Sequence, residues 1–365
     1  MHTSQINGSR SSDISSPHDW PEDEVLRRLA RRTPDVWDSM LEETGAVNGI
    51  TLSRNPSSSA GDLDKLSSET VILILQHLDL QSLCKFMTAS FRAKELVESM
   101  LAYQNILKHA STALIVLGKT HLAGHHTALD LHATLLSEEC VSCHRFGAFL
   151  FLPTCERACL DCLHRNMRFW AIPAKEAQET YGIPQKEMHR LPGMMSIPFG
   201  KRRGRPKKLV SVKVALELGL AIHGSRQEMT TWVMQSGKLG DKLNEYSWWT
   251  EAGESLLEWN TEDPMFPPRS TCWGSASIRF PHLRRDQTVD PGYWCEGCRF
   301  WRKKISKVSN YSHGMDYIGK SPEDEKELEV RHRQELRDWS KVGLIEHALT
   351  CPGAQELASL PVEEK

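Results

Sequence analysis

The sequence predicts an α+β fold, with a helical part followed by a part of mixed helices and strands. Apolar residues at helical spacing mark residues 63–107, where Val71, Ile74 and Leu78 lie at i, i+3 and i+7. After residue 139 the pattern changes to cysteine pairs, short apolar runs and many Trp, Gly and Pro residues. The 365 residues are enough for two or three domains.

Charge and hydropathy exclude some classes of protein. The 45 Lys and Arg residues are balanced by 47 Asp and Glu residues, so bulk charge does not attract nucleic acid. The longest apolar runs, such as residues 71–75, are far too short to cross a bilayer, so we expect no membrane partner. Residues 1–17 lack the apolar core of a secretory signal. We therefore expect a cytoplasmic or nuclear protein whose ten cysteines are reduced.

These patterns divide the chain into five segments. Residues 1–61 are predicted to hold a Ser-rich disordered tail, two short helices and a linker, because Pro21 and Thr33 begin helical stretches and Gly45 ends one. The other four are a helical unit, a helical connector, a cysteine-rich unit and a mixed α+β domain, at residues 63–107, 108–138, 139–175 and 176–355.

The helical unit also carries an ordered motif. Its residues are Leu66, Glu69, Ile74, Leu75, Leu78, Asp79, Leu83 and the Ser90-Phe91-Arg92 cluster. With them, residues 63–97 resemble the F-box. Ser67 stands where the family usually has proline, although a serine can cap the helix, and Tyr103 stands where tryptophan is common.

The resemblance implies a partner and a role. F-boxes dock on the Skp-type adaptor of a cullin–RING (SCF) ubiquitin ligase and couple a substrate-recruiting domain to it. It implies a set of adaptor-binding residues, namely Leu66, Ile74, Leu75, Leu78 and Leu83. The protein substrate is not identified. Periodicity alone also fits a core helix of a larger α-domain.

Two cysteine pairs predict a zinc site. Cys140-x2-Cys143 and Cys159-x2-Cys162 have the spacing of a four-thiolate site, in which each turn places two thiolates on one side. Residues 145–158 between them are predicted to form a strand pair, and the second CxxC to lead into a helix. Alternative ligands are Cys155, His144 and His164, and the other interpretation is buried cysteines without metal.

A second set of ligands is more widely spaced. Cys295-x2-Cys298 is followed after 48 residues by His347 and Cys351, which share one helical face because they are four residues apart. The alternative is two reduced cysteines and a surface histidine. Four protein ligands close each site, so we expect one or two structural zinc ions and a protein that is not itself an enzyme. The sequence has no P-loop, nucleophile elbow or HExxH motif.

The two cysteine regions extend the resemblance. Together with the F-box, residues 146–163 (FGAFLFLPTCERACLDCL) and the WCEGC and EHALTCPGA stretches resemble a group of filamentous-fungal F-box proteins with a cysteine-containing C-terminal region.

A basic segment gives the alternative function. Residues 201–209 (KRRGRPKKL) resemble an AT-hook, in which Arg203, Gly204, Arg205 and Pro206 would lie in the minor groove of A·T-rich DNA. The same run fits a nuclear-import signal or a solvated loop. The second hypothesis is therefore a nuclear DNA-associated zinc protein.

Overall fold

The chain folds into two compact units. The smaller unit combines residues 1–32 with residues 293–365, and the larger unit contains residues 33–292. No helix in the described parts of the chain is long and apolar enough to cross a membrane. The computed structural model describes Pro17 and residues 20–32, 59–197, 205–236, 276–308 and 330–360.

The first predicted short helix is present. Helix α1 (Glu22–Leu29) carries acidic residues in its first turn and basic residues in its last, which suits the helix dipole, and strand β1 (Ala30–Arg31) follows it. The second predicted helix, at residues 33–45, lies outside the described residues. So do the linker before residue 59 and the Ser-rich tail apart from Pro17.

Capped helices begin the larger unit. Ser67, Asp79 and Ser90 each accept a hydrogen bond from a backbone N–H three residues later, so each begins its helix as an N-cap. Capping by Ser67, predicted from the sequence, is confirmed. The six helices are α2 (Ser68–Gln76), α3 (Leu80–Met87), α4 (Phe91–Ser99), α5 (Leu101–His109), α6 (Ser111–Lys119) and α7 (Ala128–Leu136).

The sequence predicts one helix through Leu96, Met100 and Leu107, and the structure divides it. Met100 has an extended backbone (ψ 119°), so α4 ends before it and α5 begins after it. The Met100 side chain is buried. No glycine or proline lies at this break, so the sequence carries no signal for it.

Short strands follow the helices in the cysteine-rich region. Strands β2 (Phe149–Phe151) and β3 (Glu156–Ala158) form an antiparallel pair, and helix α8 (Leu160–Arg165) comes next. The predicted strand pair is therefore confirmed. The predicted helix begins earlier than expected, inside the second CxxC pair, because Cys159 is its N-cap, and it ends at Arg165.

The rest of the larger unit completes its sheets. Strand β7 (Ser277–Arg279) pairs with β2 and is the third strand of the sheet that contains β2 and β3. A second three-stranded sheet has the order β4 (Ala171–Pro173), β6 (Lys208–Ser211), β5 (Met194–Met195). Trp248, Trp249 and Trp273 lie outside the described residues. The elements are β4 (Ala171–Pro173), α9 (Ala174–Thr180), β5 (Met194–Met195), β6 (Lys208–Ser211), α10 (Val212–His223), α11 (Arg226–Gln235), β7 (Ser277–Arg279), β8 (His282–Leu283) and β9 (Val289–Asp290).

One hydrophobic core joins the helical and cysteine-rich segments of the larger unit. Leu83 of α3, Leu135 of α7 and Phe151 of β2 belong to the same buried cluster, which also contains Cys140 and Cys162. The segments predicted at 63–107, 108–138 and 139–175 therefore share a core. The mixture of helices and small sheets confirms the α+β class.

The smaller unit joins the two ends of the chain. Its C-terminal elements are β10 (Trp294–Cys295), α12 (Glu296–Val308), α13 (Lys341–Thr350) and α14 (Pro352–Ser359). Strand β1 pairs with β10 in antiparallel register, with Ala30 opposite Cys295. This division differs from the predicted domain at 176–355, because the elements after residue 293 pack with α1.

Candidate metal centres

The first cysteine cluster lies in the larger unit. The sulfur atoms of Cys140, Cys143, Cys159 and Cys162 all lie within 4.8 Å of one another, and Cys143 Sγ is 3.6 Å from Cys159 Sγ. Cys143 is half-buried and the other three are buried. The four predicted ligands are thus together, and this first centre can hold a metal ion.

The local backbone builds each half of the first centre. At the first pair, the His144 N–H donates to the Cys140 carbonyl (2.9 Å) and the Cys140 N–H to the Arg145 carbonyl (2.7 Å), which closes a tight turn. At the second pair, Cys159 is the N-cap of α8, and its sulfur accepts from the Cys162 N–H. Helix N-termini favour negative charge, so a thiolate is stabilised there.

Polar and charged neighbours favour a thiolate at Cys143 in the first centre. The pKa of Cys143 is held well below its usual range by hydrogen bonds with Cys140, Cys159 and Cys162. Burial opposes charge on Arg145, but its hydrogen bond to Cys143 prevails and raises the pKa of that guanidinium. Arg145 also donates to Asp161 (3.0 Å), which fixes its position. Metals bind the thiolate form, so these contacts prepare Cys143 as a metal ligand.

Cys155, His144 and His164 are not among the four clustered ligands. Cys155 is buried in a left-handed conformation (φ 56°), and its carbonyl accepts a hydrogen bond from Thr134 Oγ1 (2.7 Å). Burial raises the pKa of the Cys155 thiol, so it stays neutral and unreactive. The His144 ring is exposed and lies 3.3 Å from Glu139.

The second cluster lies in the smaller unit. Cys351 Sγ is 3.9 Å from Cys295 Sγ and 3.7 Å from Cys298 Sγ, and His347 Nε2 is 3.1 Å from Cys298 Sγ. All four ligand atoms lie within 4.8 Å of one another. The fold brings the predicted ligands together across their long sequence interval, and this second centre can hold a metal ion.

Secondary structure positions the second set of ligands. Cys295 ends β10, and Cys298 lies in the first turn of α12. His347 is in the last turn of α13, and Cys351 both ends α13 and caps α14, where Pro352 occupies the first turn. The pKa of Cys351 is lowered by hydrogen bonds with Cys295 and Cys298.

Sequence reasoning missed the residue that orients His347. The Trp339 ring stacks on the His347 ring, with 4.3 Å between centroids and 13° between planes. The Arg337 guanidinium lies 3.9 Å from the centroid of Trp339. An isolated tryptophan eight residues before a histidine carries no recognisable spacing, so only the fold reveals this contact.

The predicted adaptor-binding residues fall into two groups. Leu66 and Ile74 are exposed, at 43% and 46%, and Leu78 is half-buried. Leu75 and Leu83 are core residues instead, because each turns into the cluster beneath the helices. The structure adds two exposed apolar side chains, namely Leu73 on α2 at 60% and Phe91, the first residue of α4, at 37%.

The basic segment is only partly described. Arg203 and Gly204 lie outside the described residues, whereas Arg205 and Pro206 are exposed beside Lys207 and Lys208. Lys208 begins β6, so the segment runs directly into a sheet.

No protein-family model, curated protein or solved structure matches the chain.

Proposed function

We propose that the protein is a substrate-recruiting subunit of an SCF-type ubiquitin ligase, with zinc in two structural centres. It docks on a Skp-type adaptor through residues 63–107 and presents an unidentified protein substrate. The observation that supports docking is a group of exposed apolar side chains on, or just before, the capped helices α2 and α4: Leu66, Leu73, Ile74 and Phe91.

The packing of α2 shows why these exposed side chains indicate a binding surface. Val71 and Leu75 fill the core, while Leu73 and Ile74 face solvent. A helix that is apolar on both faces needs a second covering surface, and exposed apolar patches mark such interaction sites. Burial of these side chains against a partner would be favourable by about 25 cal/mol per Å².

One hydrogen bond supports a common surface for the exposed residues. Arg92 Nη2 donates to Ser68 Oγ (2.9 Å), so the first turns of α2 and α4 lie together. Phe91 precedes Arg92, and Leu66 lies two residues before Ser68. Leu66 and Phe91 are therefore at the same end of the helical unit, with Leu73 and Ile74 further along α2.

Zinc is the metal that suits both donor sets. Tetrahedral zinc with Zn–S bonds of about 2.3 Å separates its sulfur ligands by about 3.8 Å. The sulfur pairs given above are separated by 3.6, 3.7 and 3.9 Å. Thiolate and imidazole are the ligands of structural zinc, and four of them leave no open position for a substrate. Ubiquitin transfer would thus be carried out by other subunits of the ligase.

An adaptor-binding assay tests the proposal. Full-length zinc-loaded protein is titrated with a recombinant Skp-type adaptor, alongside Leu73→Asp and, as a matched control, Met234→Asp. Both side chains are apolar and exposed, at 60% and 43%, but Met234 lies on α11. We expect Leu73→Asp to weaken binding at least about tenfold, because a buried carboxylate is costly, and Met234→Asp to bind like wild type.

The controls in that assay are folding and metal content. Circular dichroism and zinc stoichiometry must be the same for all three proteins. Absence of binding by a folded, zinc-loaded wild type contradicts the proposal, and so does equal binding by Leu73→Asp.

DNA association is the second proposal. Arg205, Lys207 and Lys208 are exposed, as contact with phosphates requires. It predicts salt-sensitive binding to an A·T-rich duplex that weakens when Lys207 and Lys208 are replaced by alanine. Salt-independent or absent binding contradicts it.

A further inference from the structure

We infer that the second metal centre forms the surface on which the N-terminal segment, residues 20–31, packs. Metal binding at this centre would then control whether the segment is docked. The inference rests on the metal occupancy proposed above for that centre. It is independent of adaptor binding.

The apolar face of α1 packs on the ligands themselves. Val25 and Leu29 are 2% and 0% exposed. They belong to one buried cluster whose other members are Cys295, Cys298, Leu344, Ala348, Cys351 and Ala354. Three of the four ligands therefore form part of the wall against which α1 is buried.

The backbone of the segment pairs with a ligand strand. Ala30 lies opposite Cys295 and Arg31 opposite Trp294 in a two-residue antiparallel pair. Such a short pair is not stable by itself, so it depends on β10 being held in place. A metal bound to Cys295 would fix that strand.

Ionic contacts hold Arg31 at the C-terminal end of the segment. Arg31 lies between two glutamates, with Nε 3.6 Å from Glu296 Oε2 and Nη2 3.6 Å from Glu335 Oε1. Its guanidinium also lies 4.9 Å from the centroid of the Trp294 ring. Glu296 and Trp294 are the chain neighbours of Cys295, so the position of this ligand also sets the site that receives Arg31.

The helices of the smaller unit that take part in this packing are too short to form alone. Helices α1, α13 and α14 have 8, 10 and 8 residues, below the length at which isolated helices are stable in water. Cys295 and Cys298 lie on one chain segment and His347 and Cys351 on another, so a metal ion bound by all four would cross-link the two segments. Metal binding in such small units is coupled to folding, and docking of α1 shares that coupling.

Hydrogen exchange on the full chain tests the inference. Amide exchange of residues 22–31 is measured by mass spectrometry with Zn²⁺ bound, in wild type, His347→Ala and Cys143→Ser. We expect protection in wild type and in Cys143→Ser, which alters only the first centre. In His347→Ala exchange of this segment should be at least about tenfold faster, while α5 stays protected as the internal reference.

A reciprocal measurement separates docking from general loss of structure. If docking and metal binding are linked, a substitution that weakens packing of α1 must also weaken metal binding at equilibrium. Leu29→Ser should lower the zinc affinity of the second centre by about tenfold, measured by equilibrium competition with a chelator. Arg27→Ala, on the exposed side of the same helix, should leave that affinity unchanged.

Each contrary outcome has its own meaning. If wild type binds two zinc ions but residues 22–31 are not protected from exchange, the inference is overturned while the proposed zinc occupancy stands. Persistent protection in a His347→Ala protein that lacks the second zinc also overturns it, as does an unchanged zinc affinity of the second centre in Leu29→Ser. A wild type that binds zinc only at the first centre overturns the inference together with the proposed zinc occupancy of the second centre.

Discussion

A Cβ atom on Gly353 would lie 2.0 Å from the carbonyl oxygen of Gly297, so α12 and α14 touch through their backbones. Conversely, a Cβ on Gly297 would lie 2.4 Å from the Ala354 nitrogen. Gly297 lies between Cys295 and Cys298, and Gly353 follows Cys351 by two positions. The contact between these glycines therefore brings the two halves of the second ligand set together.

Gly353→Ala should disable the second centre. The new methyl group cannot fit against the Gly297 backbone, so α14 must move and carry Cys351 away from its partners. We expect the variant to lose one metal ion per chain in a colorimetric zinc assay. Gly118→Ala is the control, because a Cβ there meets nothing within 4 Å and alanine favours a helix. Full metal content in Gly353→Ala would show that the contact is dispensable.

Ligand substitutions should separate the first centre from its neighbouring thiol. Cys143→Ser removes one of the four clustered sulfur atoms, whereas Cys155→Ser changes a buried cysteine outside the cluster. We expect about two zinc ions per chain for wild type and Cys155→Ser and about one for Cys143→Ser, measured by elemental analysis. Equal loss in both variants would make Cys155 a ligand.

The metal ligands and helix caps could be predicted because they are local features. A CxxC turn and a Ser or Asp N-cap each depend on residues within a few positions. His347 and Cys351 were also predictable, since a spacing of four places them on one helical face. The spacing alone did not show that they meet Cys295 and Cys298, which requires the packing of α12, α13 and α14.

Other features depend on packing that periodicity does not encode. Residues 71–75 are all apolar, so the sequence could not show that Leu73 is exposed and Leu75 is buried. The pairing of Ala30 with Cys295 joins the two ends of the chain, and two-residue strands have no alternation to detect. The predicted boundaries followed changes in composition, whereas the observed units follow shared cores.

The buried histidine His126 should make stability depend on pH. It is 6% exposed, its Nε2 donates to the Leu152 carbonyl (2.8 Å), and burial lowers its pKa below the ordinary value of 6.5. As pH falls through about 6.5, the unfolded chain takes up a proton before the folded chain does. The free energy of unfolding should therefore fall until pH reaches the lowered folded-state pKa.

Urea unfolding at about pH 7.5 and about pH 5.5 measures this effect. His126→Gln can still donate to Leu152 but has no titrating group, so its stability should fall less between the two pH values. His125→Gln changes an exposed neighbour and should behave like wild type. Metal release at low pH affects all three proteins and cancels in the comparison. The same pH dependence in wild type and His126→Gln would refute the prediction.

Arg157 should be among the most costly positions to change in the larger unit. It is 1% exposed, and its guanidinium donates to the carbonyl oxygens of Thr134, Gly147, Phe280 and Pro281 at 2.6–3.1 Å. These carbonyls come from α7, the turn before β2 and the residues after β7, so one side chain joins three parts of the core. An unsatisfied buried carbonyl costs about 1–3 kcal/mol, and several would lose their donor together.

Arg157→Ala should lower the free energy of unfolding by at least about 3 kcal/mol, measured by urea titration with zinc held constant. Arg157→Lys should recover only part of the loss, because an ammonium has three donors at one point and cannot reach four carbonyls as the planar fork does. Arg190→Ala removes an exposed arginine paired with Glu187 and should change stability by less than about 0.5 kcal/mol. A loss below about 1 kcal/mol in Arg157→Ala would mean that water replaces the guanidinium at these carbonyls.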